Sequence, residues 1–94
     1  MVLVHLGVSG GLEPLFGCSD KDIQLPANAT VRTAITWVRD NLLNGDTEHQ
    51  FMIDNQIRPG ILVLYNDADC ELVGMDQALQ DRDSLSFIST IHGG

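Results

Sequence analysis

The residues with the clearest chemical potential are the last six, Ser89-Thr90-Ile91-His92-Gly93-Gly94, which end in a carboxylate. Glycine has no Cβ, so a Gly-Gly end reaches backbone conformations closed to other residues and threads narrow channels. A channel over a catalytic site is where a terminal carboxylate has to go to be activated. By itself the dipeptide decides nothing, because at ordinary glycine usage it closes about 0.5% of chains. It gains weight only on a body suited to carrying it.

Other constellations offer less. Gly7-Val8-Ser9-Gly10-Gly11 lacks the Lys-Ser/Thr and the following helix of a phosphate loop, so it reads as a turn. Asp67-Ala68-Asp69-Cys70-Glu71 begins like a calcium loop, but Leu72 stands where the glycine is required. His5, His49 and His92 are scattered without ligand spacing, so no metal site is expected. Cys18 and Cys70 are too few to hold an iron–sulfur cluster and show no CxxC spacing; they read as reduced thiols with no catalytic use.

The chain has 94 residues, 44% of them hydrophobic and 19% charged, which predicts one folded domain spanning 1–94 with a single core. No apolar run is long enough to span a bilayer. Met1-Val2-Leu3-Val4-His5-Leu6 lacks the basic flank and cleavage site of a signal peptide, which points to a cytoplasmic protein without membrane association. Thirteen acidic against five basic residues give a net charge of −8, which disfavours direct binding to nucleic acid and predicts basic partner surfaces. Lys21 is the sole lysine.

A carrier body has to be assembled from the remaining pattern. Val2, Val4, Leu6 and Val8 alternate with Leu3, His5 and Gly7, as in a half-buried strand. Ser9-Gly10-Gly11 turns the chain, and Leu12 to Asp20 reads as irregular with Leu15 and Phe16 as anchors. Ile23-Gln24-Leu25 predicts a short second strand closed by Pro26. Thr30 is the expected N-cap of a helix whose stripe is Val31, Ala34, Ile35, Val38 and Leu42, widened by Trp37 and Leu43 and stopped at Asn44-Gly45.

Phe51-Met52-Ile53 suits a short extended piece. Ile61 to Tyr65 reads as a central strand covered on both faces, followed by a turn at Asn66 to Asp69 and a returning strand at Cys70 to Val73. Asp76 to Leu79 suggests one helical turn, and Ser84 to Ile88 the last strand, with Leu85 and Phe87 facing the core. The order β-β-α-β-β-β, with a crossover through the one main helix, is the α+β plan of a β-grasp (ubiquitin-like) fold: a mixed sheet curled round a helix. Pairing of the last strand with the first in the sheet centre would project a tail, from about residue 89 to 94, beyond the globule.

Arg58-Pro59-Gly60-Ile61-Leu62-Val63-Leu64, Asn66-Asp67-Ala68-Asp69 and Phe87-Ile88-Ser89-Thr90-Ile91-His92-Gly93-Gly94 resemble the ubiquitin-related modifier family of eukaryotes, weakly before Arg58 and strongly after it. Cys70 departs from the family pattern, where a large aromatic is expected, and implies a local packing difference. The resemblance implies a sulfur carrier for 2-thiolation of wobble uridine in transfer RNA that is also joined to lysines of target proteins. It implies that Gly94 is the attachment point and that Thr90, Ile91, His92 and Gly93 thread the channel of an activating enzyme. ATP and magnesium would be used by that adenylyltransferase and sulfurtransferase, with no cofactor bound by this chain, and a tRNA thiolation enzyme would accept the sulfur. Such a chain is a substrate of its partners rather than an enzyme, and one already ending in Gly94 needs no processing protease.

Two other classes stay open: a dedicated sulfur carrier of the molybdopterin-synthase or thiamine-pathway type, and a ubiquitin-like binding module that is never activated. The candidate docking face is Ile88 on the open face of the sheet, near His5 or Leu3.

Overall fold

A computed structural model describes residues 1–43 and 47–90. The first strand, β1 (Val2–Ser9), buries Val2, Val4, Leu6 and Val8 and turns Leu3, His5 and Gly7 to the other face. Period-two hydrophobicity dictates this placement, because successive side chains of a strand alternate. The turn at Gly10 and Gly11 leads to a single helical turn, α1 (Glu13–Phe16), where a purely irregular segment was expected. Pro14 suits the start of such a turn, and Gly17, at φ +77°, ends it. Phe16 is buried, whereas Leu15 is only half-buried.

Strand β2 (Asp20–Leu25) runs antiparallel to β1 and begins three residues earlier than its apolar part predicts. The acidic residues Asp20 and Asp22 belong to it because they lie on an edge open to water.

The main helix is α2 (Val31–Asn41). Thr30 caps it as expected, its Oγ1 accepting from the Thr33 N–H at 3.3 Å while the Thr33 hydroxyl accepts from the Thr30 N–H at 3.0 Å. This reciprocal pair satisfies two of the orphan donors at the helix start. Val31, Ala34, Ile35 and Val38 are buried against the sheet, with Trp37 and Leu42 half-buried beside them. The expected stop at Asn44-Gly45 lies outside the described residues.

After a single 3₁₀ turn (Glu48–Gln50) comes a two-stranded hairpin, β3 (Met52–Ile53) and β4 (Gln56–Ile57). Its turn residues Asp54 and Asn55 both sit at positive φ. Strand β5 (Ile61–Tyr65) pairs with β6 (Ala68–Asp69) over two residues only. The returning strand expected over Cys70 to Val73 is instead the helical turn α3 (Cys70–Val73). Asp69 is the cause: its Oδ1 accepts from the Glu71 N–H at 2.9 Å and nucleates the turn. Leu72, within that expected strand, is 88% exposed. Residues Asp76 to Leu79 form no helix; Met75 and Asp76 make a turn and Ala78 bridges to Thr30.

The last strand, β7 (Asp83–Ser89), lies parallel to β1 and antiparallel to β5, giving the order β2-β1-β7-β5-β6. This is the mixed five-stranded sheet of a β-grasp fold. β5 is not covered on both faces: Val63 is buried toward α2, while Leu62 and Leu64 are half-buried on the open side. All three phenylalanines, Phe16, Phe51 and Phe87, meet in the core with ring centroids 5.3–5.8 Å apart. Edge-on and tilted packing at this spacing adds to the burial of each ring.

Candidate functional site: the root of the C-terminal tail

β7 delivers the chain end to one rim of the sheet, and the structure fastens it at both of its ends. At its start Asp83, only 9% exposed, accepts from the Tyr65 hydroxyl at 2.7 Å, the Gln80 N–H at 2.7 Å and the Asn66 amide at 3.1 Å. Burial pushes the Asp83 carboxyl up, but the three donors outweigh it and hold the group below its ordinary value. The same bond, followed by burial, raises the Tyr65 phenol.

At its far end Thr90 makes two bonds to one acceptor. Its N–H and its hydroxyl both donate to the Gly60 carbonyl, at 2.7 and 2.8 Å. On the other side of the strand lies Gly10, at φ +71°. A Cβ at Gly10 would stand 2.5 Å from the Ser89 carbonyl oxygen and 2.9 Å from the Ser89 nitrogen. Gly10 is therefore glycine for two reasons, left-handed backbone and close approach. The exit is a slot between the β1 turn and the Arg58-Pro59-Gly60 turn, with Ser89 still in the strand and Thr90 clamped. Ile91, His92, Gly93 and Gly94 lie outside the described residues.

The open face of the sheet carries the other predicted residues, in two places rather than one. His5 lies opposite Ser84, and its Nδ1 is 2.7 Å from the Asp22 carboxylate, an ion pair when the imidazole is protonated. The backbone N–H of Leu3 donates to Asp81 at 2.8 Å. Ile88 lies opposite Ser9 and Leu62, four residues further along β7 than Ser84. At about 3.3 Å per residue that separation is roughly 13 Å along the strand. Ile88 thus groups with Leu62 and, two residues on, Leu64, next to the tail exit.

In the sequence Gly10 reads only as a turn residue, and Gly60, Leu62 and Leu64 only as parts of the family motif, with no role at the exit or on a docking face. The outward leucines are visible in principle as the even members of Ile61 to Tyr65; the glycines become visible only once strand register is known. Cys70 is 2% exposed, and burial followed by the Asp69 charge pushes its thiol up to about 11. Among the described residues no cluster of His, Cys, Asp and Glu could hold a metal, and no helix is long and apolar enough to cross a membrane.

Comparison with known proteins accords with this geometry. The sequence model of Urm1 (ubiquitin related modifier) matches residues 3–94, the terminal glycines included. Ubiquitin-related modifier 1 of Bos taurus is 45% identical over 96 residues, covering 97% of this chain and 94% of the bovine protein. The Dictyostelium discoideum homologue is 44% identical over 100 residues, covering 97% and 98%. The solution structure of Urm1 from Trypanosoma brucei, 32% identical, superposes with a TM-score of 0.78 over 98% of this chain and 95% of that one. The crystal structure of SAMP1 from Haloferax volcanii reaches a TM-score of 0.81, over 98% and 99%, at 18% identity, a likeness of fold alone. The chain belongs to the Urm1, or ubiquitin-related modifier, family.

Proposed function

We propose that this protein is a sulfur carrier and protein modifier whose reactive group is the Gly94 carboxylate. The observation that carries the reading is the family match, which runs through Gly93 and Gly94. The clamped exit at Thr90 supports it, because a tail handed between enzymes needs a fixed point of departure.

A carboxylate is a poor electrophile and has to be activated. A Gly94 oxygen attacks the α-phosphorus of ATP, held with magnesium by an activating enzyme, and pyrophosphate leaves. A persulfide on that enzyme then attacks the carbonyl carbon; the bond to AMP breaks and an acyl disulfide forms. A thiol reduces the S–S bond, leaving a thiocarboxylate on Gly94 and a disulfide on the partner side. The thiocarboxylate sulfur attacks C2 of a wobble uridine activated at its C2 oxygen on a thiolation enzyme. That oxygen leaves with its activating group, and hydrolysis of the acyl–sulfur bond releases the thiolated base and restores the Gly94 carboxylate. Attack by a target lysine on the carbonyl carbon instead forms an isopeptide bond and expels sulfide. All catalytic groups belong to the partners; this chain supplies Gly94, with Thr90, Ile91, His92 and Gly93 as the channel segment.

The docking face for the activating enzyme is the Ile88–Leu62–Leu64 patch beside the exit, with His5 and Leu3 further along the sheet. Its placement supports this role, since a partner that seats the patch receives the tail at the same rim. The net charge of −8 favours a basic partner surface and steers the encounter. The site of action is cytosolic. A cell lacking the protein is expected to lose thiolated transfer RNA and to regain it with the full chain but not with a chain ending at His92. Rescue by the truncated chain would refute the reading, and loss of molybdenum cofactor instead would favour a dedicated carrier of the molybdopterin type.

A further inference from the structure

The far edge of the sheet carries three features that the tail chemistry does not use. The first is a strand edge that lacks a partner strand over part of its length, with α3 packed near it. The Asn66 N–H donates to the Ser84 carbonyl at 2.9 Å, and the Thr90 N–H to Gly60 at 2.7 Å. In an antiparallel ladder successive residues alternate in direction, so the even positions from Gly60 to Asn66 face β7 and the odd positions face outward. β6 meets that outward edge only at Leu64 and Tyr65 before the chain turns into α3. The Ile61 N–H is taken by the Arg58 carbonyl at 3.2 Å. The Ile61 carbonyl and the Val63 N–H are left with no strand beside them among the described residues.

The second feature is a cavity of about 230 Å³ along this edge, walled by Ile57, Ile61, Val63, Cys70 and Met75. It is smaller than the roughly 300 Å³ at which small-molecule sites begin, and suits one side chain. The third is Arg58 at its rim. Arg32 pairs with Asp76 at 3.2 Å, Arg39 with Asp40 at 3.0 Å, and Arg82 lies 3.9 Å from Asp81. Arg58 has no acidic partner among the described residues, in a chain of net charge −8. The larger groove between α2 and the β3–β4 hairpin, about 620 Å³, has Arg32 and Arg39 on its wall, both already paired.

We propose that the outer edge of β5 receives an extended peptide segment of a protein partner, with an aliphatic side chain in the cavity and a carboxylate on Arg58. Backbone pairing to Ile61 and Val63 supplies sequence-independent affinity, and the cavity and the guanidinium supply the selection. Asp69 and Glu71 also line the cavity, where the chain passes from β6 into α3. Arg58 stands three residues before Ile61, so the carboxylate belongs at the Ile61 end. In a strand antiparallel to β5 the acidic residue then follows the aliphatic one. The site is independent of Gly94, and it is separate from the open face that carries Ile88.

The test is a selection from a random peptide library displayed on phage against the full chain. Enriched peptides are synthesised and titrated into the ¹⁵N-labelled protein. The expected binders carry an aliphatic residue followed by Asp or Glu and move the Val63 amide signal most. Arg58→Gln is expected to weaken them about tenfold, as loss of a charge-assisted hydrogen bond does. Replacing the peptide's own acid by its amide is expected to do the same with the protein untouched, which covers the case of a variant that folds poorly. An empty selection, shifts centred on Ile88 or on α2, or binding indifferent to both charge removals would each overturn the proposal.

Discussion

Thr90 and Gly60 are joined by two hydrogen bonds that converge on one oxygen, the Thr90 N–H at 2.7 Å and its hydroxyl at 2.8 Å. The backbone bond continues the β5–β7 ladder, and the hydroxyl doubles it at the last point where the body can hold the tail. Thr90→Val keeps the shape and the backbone donor but removes the second bond. It is expected to lower stability by about 0.5–1 kcal/mol and to speed amide exchange at Thr90 while exchange in α2 is unchanged. Hydrogen exchange read residue by residue checks both.

Gly10 holds the opposite side of the exit. Gly10→Ala places a methyl group against the Ser89 backbone, which cannot step aside without leaving β5 or β1. Gly11 also sits at positive φ, +99°, but nothing lies within 4 Å of a Cβ there. Gly11→Ala is expected to cost about 1 kcal/mol from left-handed strain alone. Gly10→Ala is expected to cost about 2–4 kcal/mol, the strain plus a clash. Urea denaturation of both variants measures the difference.

Asp83 makes stability depend on acid. Its carboxyl titrates lower in the folded protein than in the unfolded chain, so its contribution is complete above the unfolded value near 3.9 and is lost as pH falls through the folded value. Asp83→Asn leaves three donors facing a group that accepts less well and is expected to cost about 1–3 kcal/mol at neutral pH. The variant should also lose less stability than the parent on acidification below about pH 4. Denaturation at a series of pH values separates these effects.

The two thiols differ in access. Cys70 is buried with its thiol pushed up to about 11, so little thiolate forms and none is exposed. Cys18 is half-buried. At pH 8 a thiol reagent is expected to label Cys18 in the native protein and Cys70 only after unfolding. Mass mapping of the labelled peptides decides it.

Much of this architecture can be read from the chain. β1, α2 and the core side of β7 follow from period-two and period-3.6 hydrophobicity, because each buries one face on the same core. The helical turn at Cys70 escapes such reading because a single side chain, Asp69, overrides four residues that alternate like a strand. The β3–β4 hairpin escapes because its positive-φ turn uses Asp54-Asn55 rather than a glycine pair. The tail motif is explicit in sequence, but its anchors are not: Gly10 and Gly60 act through residues 79 and 30 positions away, and only the β1–β7–β5 register brings them together.

The most direct measurement is the intact mass of the protein after incubation with its activating enzyme, ATP, magnesium and a sulfur donor. Exchange of one oxygen for one sulfur, mapped to Gly94 and absent when Gly94 is deleted, is the predicted result. An unchanged mass, or the same gain in the chain lacking Gly94, would contradict a reactive C-terminal carboxylate.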